Sequence, residues 1–156
     1  MLQAVWKGDC MIYTPLTIKA VNIAYRAHEG QFDKGGLPYI FHPYHLAEQM
    51  RDEYSVCAAV LHDVVEDTDV GIDVIEQEFP AEVARAVRLL THEPEVPYLE
   101  YIERLKDDPI ARQVKLADLA HNMDDTRNAG DESETEEKKR KRREKYTKAK
   151  EILLNK

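Results

Sequence analysis

Residues 57–61, CAAVL, form an apolar stretch that belongs in a core, and they run without a break into HDVVEDT, residues 62–68. This junction constrains the fold more than any other feature. A helix that enters the core and continues as His62, Asp63, Glu66 and Asp67 carries charge out of water, and such charge needs partners or a metal. A helix over about 55–65 places Val56, Ala59, Val60 and Val64 on one stripe. On the same spacing Glu66 follows His62 by four residues and Asp67 follows Asp63 by four, so each pair shares a helix face. Taken alone, the cluster also suits a solvated helix end with surface acids.

Helical signals extend over most of the chain. Thr14-Pro15 caps a helix over 15–29, which stops near Gly30. Residues 31–41 break the pattern, and Gly35-Gly36 marks a short β-hairpin near 32–40. Pro43 opens a helix to about Met50. Helices over 72–78 and 80–91 are divided by Pro80, and another ends near Lys106. Asp107-Asp108-Pro109 starts a long apolar helix over 109–125, and a polar break leads to a last helix over 135–154. The fold class is therefore all-α: a single helical-bundle domain over 14–156, with residues 1–13 as an N-terminal extension.

The bulk numbers exclude several classes. No run of about 18 apolar residues spans a membrane, and the first residues lack the basic-then-apolar form of a secretory signal. Only Cys10 and Cys57 are present, so no disulfide framework is implied and a reducing cytoplasm is expected. A net charge of −8 disfavours a general nucleic-acid binder. It leaves room for a small anionic substrate, because a metal and a few cations make one cleft locally positive.

Two further elements join HDVVEDT. In QVKLADLAHNM, residues 113–123, Lys115, Asp118 and Asn122 form a polar stripe on a mostly apolar helix. In YIFHP, His42 stands directly before a helix, which fixes its direction. Together, two His and two Asp make a nitrogen–oxygen set suited to a divalent first-row metal. Four protein ligands leave room for water, whose pKa a metal lowers. Glu66 and Asp67, one turn away, are placed to move protons. His121 faces away from the stripe, and His28 and His45 read as packing or surface residues. His92 stands at a helix end, where it can cap the C-terminus.

GQFDKGGLPYIFHP, HDVVEDT and VKLADLAHNM, in this order and spacing, resemble the hydrolase domain of the RelA/SpoT family, above all its small single-domain alarmone hydrolases of the Mesh1 type, within the HD superfamily of metal-dependent phosphohydrolases. The resemblance runs from about Leu16 to Leu154. It implies an all-helical HD domain that removes the 3′-pyrophosphate from guanosine tetra- or pentaphosphate, a small anionic nucleotide. It implies one divalent metal, manganese by preference with iron, zinc, nickel or cobalt as alternatives, held by His42, His62, Asp63 and Asp118. It makes Glu66 and Asp67 the acidic pair that handles the attacking water. Lys34, Asn122 and Tyr146 correspond to positions near the substrate, and Lys115 joins them in orienting phosphate and sugar.

The chain departs from the family pattern at two places. Asp33 stands where an arginine commonly packs on the guanine base, and Leu119 stands where a basic residue commonly follows the metal aspartate. An acid at position 33 repels phosphate and cannot stack as a guanidinium does. Hydrolysis of another nucleotide or phosphate ester is thus the second reading, and a catalytically silent nucleotide sensor is the third. Residues 138–145, KKRKRREK, hold seven bases in eight positions; they suit a solvated helix face, or reach substrate phosphates if the last helix lies by the cleft.

Overall fold

Helix α3 (Glu53–Leu61) sits at the centre because its sequence leaves no polar face below Ser55. Every residue from Ser55 to Leu61 is buried, the pattern of a helix surrounded on all sides. Asp52 starts it: one carboxylate oxygen accepts the Ser55 N–H at 2.9 Å and the other accepts the Ser55 hydroxyl at 2.6 Å. Around α3 pack α1 (Pro15–Ala27), α2 (Phe41–Ala47), α6 (Ala81–Leu90) and α8 (Pro109–Asn122). The remaining helices are α4 (Val64–Asp67), α5 (Ile72–Glu78), α7 (Tyr98–Leu105) and α9 (Glu136–Leu154). This computed structural model describes residues 11–128, 131 and 133–155. Trp6, Cys10 and most of the expected N-terminal extension lie outside the described residues. Of that extension, Met11–Tyr13 form a 3-10 turn that buries Ile12 in the core.

The expected start of α1 is present as a capping box. Thr14 Oγ1 accepts the Thr17 N–H, Thr17 Oγ1 accepts the Thr14 N–H, and Pro15 occupies the first turn. The face that α1 buries is Thr17, Ala20 and Ala24, while Ile18 is exposed. The hairpin expected near 32–40 reduces to one antiparallel bridge between Phe32 and Pro38, closed by a turn in which Gly36 takes φ +85°. Pro38 has no N–H to extend a ladder.

Two boundaries move, and both matter for the site. Helix α2 begins at Phe41, so His42 lies inside its first turn, whereas the sequence places it just before the helix. The single helix expected over 55–65 breaks at His62–Asp63 into α3 and α4. The cause is local. The His62 ring donates Nδ1–H to the Ala59 carbonyl at 2.7 Å, the acceptor that a continuing helix offers to Asp63 N–H. Helix α8 ends at Asn122, and Asp125–Asn128 form a 3-10 turn before the polar break. Among the described residues, no helix is long and apolar enough to cross a membrane.

Leu61, fully buried at the end of α3, joins core packing to the site. Leu61→Ala is expected to lower unfolding free energy by about 2–5 kcal/mol, read from urea denaturation.

Candidate metal centre

The break after α3 leaves His62 and Asp63 in the interior, facing His42 from α2 and Asp118 from α8. His42, His62 and Asp118 are nearly inaccessible to solvent. His42 Nε2 lies 3.1 Å from Asp118 Oδ1 and 3.9 Å from Asp63 Oδ2. His62 Nε2 lies 2.9 Å from Asp63 Oδ2 and 3.8 Å from Asp118 Oδ1. Donors bonded to one ion at about 2.1 Å and right angles stand about 3.0 Å apart, so these spacings suit a shared cation. The structure thus gathers His42, His62 and Asp63 into one potential ligand group, with Asp118 Oδ1 3.1 and 3.8 Å from the two imidazoles.

The hydrogen bonds around the rings test that fit. In neutral His62, Nδ1–H is committed to Ala59, which leaves Nε2 a bare lone pair, buried and without a hydrogen-bond partner among the described residues. A lone pair facing a carboxylate is repulsive unless a proton or a cation lies between them. Burial lowers the His62 pKa, but the Asp63 and Asp118 carboxylates outweigh it and carry the imidazole up to about 10. A divalent ion satisfies the same demand with the ring neutral.

His42 is oriented by a partner that spacing alone set aside. Its Nδ1 stands 2.7 Å from His121 Nδ1, and the two rings are stacked 5.0 Å apart, with His45 against the far side of His121 at 4.2 Å. Burial, Arg127 and the neighbouring histidines push His121 down to about 4, so it is neutral. Neutral His121 accepts the His42 Nδ1–H, and His42 Nε2 then faces the site as a lone pair. His121 lies three residues after Asp118 on α8, an i,i+3 relation that is the signal for its involvement.

The carboxylates are held with equal care. Asp118 Oδ2 pairs with Lys115 Nζ at 2.8 Å, and Oδ1 accepts the Asn122 Nδ2–H at 2.7 Å. Burial raises its pKa, yet Lys115 and the two imidazoles hold it well below the usual range. Asp63 Oδ2 accepts the Tyr39 hydroxyl, a contact absent from the expected set. Tyr39 precedes His42 by three residues, and its carbonyl accepts the His42 N–H at 2.9 Å, so one turn brings both side chains to the same place.

These residues line a cavity of about 220 Å³ with Glu66 and Asp67 at its rim. The His92 N–H donates to Glu66 Oε1 at 2.5 Å, and its ring donates to the Val96 carbonyl at 2.7 Å. His92 thus holds Glu66 rather than capping α6, whose last turn ends in the Thr91 N–H bond. Gln31 Nε2 donates to the Asp67 carbonyl at 2.9 Å, and its side-chain oxygen accepts from buried His28. Burial pushes both Glu66 and Asp67 up, and the Asp63 charge adds to the effect.

Lys115 and Asn122 line the cavity but bond Asp118; Lys34 and Tyr146 stand at its outer side, in an adjoining pocket of about 260 Å³. There Asp33 turns inward. Its carboxylate accepts the Leu37 N–H at 3.0 Å and lies 3.6 Å from Arg127 Nε, while Arg127 Nη1 donates to Asn122 Oδ1 at 2.7 Å. A guanidinium therefore reaches this pocket from residue 127, close to a loop that lacks its own. Leu119 is buried in the core, away from the pocket.

His121→Phe keeps the stack and removes the acceptor for His42. Manganese affinity, read by metal titration, is expected to fall about 10- to 100-fold with the fold intact by circular dichroism. Unchanged affinity overturns the orienting role.

Residues 20–148 match the family model for the HD domain. The guanosine-3′,5′-bis(diphosphate) 3′-pyrophosphohydrolase MESH1 of Homo sapiens is 38% identical over 122 residues, an alignment that covers 69% of this chain and 68% of that one. A probable guanosine-3′,5′-bis(diphosphate) 3′-pyrophosphohydrolase of Synechocystis is 38% identical over 124 residues, but the match spans only 16% of that longer protein. A solved structure of a metazoan ortholog of SpoT that hydrolyzes ppGpp aligns with a TM-score of 0.77 at 26% identity, covering 91% of this chain and 87% of that one. Sequence and architecture agree, and the chain belongs to the HD-domain family as a Mesh1-like member.

Proposed function

We propose that this protein is a metal-dependent hydrolase that removes pyrophosphate from the 3′ position of guanosine tetra- or pentaphosphate. The observation that carries the reading is the buried Nε2 of His62 set 2.9 Å from Asp63 Oδ2, with His42 and Asp118 beside it and two further carboxylates at the rim of the cavity. Relatives named for this activity support the substrate. Manganese suits the mixed imidazole and carboxylate donors, and the cytoplasm is the expected compartment.

His42, His62, Asp63 and Asp118 would hold the ion. A divalent ion bound there supplies charge stabilisation for the phosphates and a water that loses its proton near neutral pH. Glu66 and Asp67 receive that proton, a task that their raised pKa suits. Water oxygen adds to the 3′-phosphorus, the bond to the ribose 3′-oxygen breaks, and that oxygen takes a proton as pyrophosphate leaves. Asn122, fixed between Asp118 and Arg127, faces the sugar side. Lys115 holds Asp118 ionised and in place; Tyr146 lines the cavity, and Lys34 adds a cation in the adjoining pocket that Tyr146 shares. Arg127, 3.6 Å from Asp33 in the adjoining pocket, offsets the acidic charge and so weakens the phosphate repulsion that the sequence position implies.

Purified protein in manganese is expected to release pyrophosphate from guanosine tetraphosphate and to stop on chelation. Asp118→Ala loses bound metal and turnover together, whereas Glu66→Gln keeps the metal and loses at least about 100-fold in kcat. Release from another nucleotide alone retires the alarmone in favour of the second reading. Metal binding without turnover on any nucleotide points to the sensor.

A further inference from the structure

Beside the catalytic cavity runs a separate groove of about 560 Å³, between the loop after α1 and the flank of α9. Lys34, Lys138 and Lys145 line it, and all three are exposed. None forms an ion pair among the described residues, although most bases on α9 do. Lys139 pairs with Glu136, Arg140 with Glu144, and Lys141 with Glu137. Arg142 forms part of the wall, where Glu134 neutralises it at 2.9 Å and its Nη1 donates to the Asn122 carbonyl. Asp131 lines the same groove, accepts the Ser133 N–H at 2.9 Å, and sets its charge toward Lys34 and Lys138. In a chain of net charge −8, a groove lined by five bases and two acids is locally basic, and a bound anion suits it.

The groove is continuous with the site. Tyr146 lines the catalytic cavity, the adjoining pocket and the groove, and Lys34 lines the last two. Lys145 is fixed at this junction, with Nζ 4.5 Å from the Tyr98 ring centre and 5.2 Å from that of Tyr146. Burial and the Lys115 charge push Lys145 down, a cost that a bound anion relieves.

We propose that this groove is a second anion subsite, in which Lys138 and Lys145, with Lys34, bind the 5′-phosphate chain of the nucleotide whose 3′-phosphates lie at the metal centre. This assignment rests on the reading of the substrate given above. It makes the enzyme a two-ended reader of phosphate, with the nucleoside held between.

The test uses full-length, manganese-loaded protein and the double variant Lys138→Gln/Lys145→Gln. Guanosine 5′-diphosphate, which lacks a 3′-phosphate, is titrated by calorimetry and is expected to bind at least tenfold more weakly to the variant. For turnover, guanosine tetraphosphate is compared with guanosine 3′-diphosphate, which has a free 5′-hydroxyl. The variant is expected to raise KM at least tenfold for the former and less than twofold for the latter. Lys138→Glu, at an exposed helix position away from the Tyr98 contact, must shift the same readouts in the same direction. Equal diphosphate binding by variant and parent, or equal loss on both substrates, overturns the subsite. If the protein turns over neither substrate but its diphosphate binding depends on the lysines, the hydrolase reading fails and the subsite stands.

Discussion

The placement of two carboxylates, Asp63 and Asp118, against two imidazoles in a space nearly closed to water is what the rest of the structure answers to. Two anions within reach of one another and out of solvent are strongly unfavourable unless opposite charge and donors surround them. The surroundings supply both. Lys115 stands on Asp118 at 2.8 Å, Asn122 donates to its other oxygen, and Tyr39 donates to Asp63. His62 Nε2 faces Asp63 at 2.9 Å, a point where a proton or a cation must stand. A divalent ion meets that demand with the ring neutral.

The four acids of the site divide by environment. Asp118 has a lysine and two imidazoles and is held ionised. Glu66 and Asp67 sit at the rim and are pushed upward by burial, to which the Asp63 charge adds. Residues of one chemical type are thereby separated into an acid held ionised and acids pushed toward the protonated form. The backbone enforces the separation. The His62 ring takes the Ala59 carbonyl, α3 ends, and the next turn starts in a new direction with Glu66 clasped by the His92 N–H.

The exposed part of the molecule continues the same electrostatic logic outward. The charge excess is acidic overall, yet the wall formed by α9 and the loop after α1 is locally basic because its bases outnumber the acids Asp131 and Glu134. Pairing within α9 follows i,i+3 and i,i+4 spacing for Lys139, Arg140 and Lys141, and Lys138 and Lys145 form no ion pair among the described residues.

The all-helical class, most helix starts and the HDVVEDT and QVKLADLAHNM elements were legible in the sequence, because capping, periodicity and the conflict between burial and charge are local properties. The family resemblance singled out His42, His62, Asp63 and Asp118 together, and in the fold their side chains lie close to one another. Tyr39, His121 and the turning of Asp33 toward Arg127 could not be read in the same way. Those contacts join residues 24, 79 and 94 positions apart, and the position of a partner so distant in the chain depends on how α2, α8 and the turn after α8 pack around α3. Sequence by itself determined which groups must leave water. Only the tertiary structure decided which groups would meet them there, because side-chain charge is a property of the residue, whereas its neutralisation depends on the distance to another part of the chain.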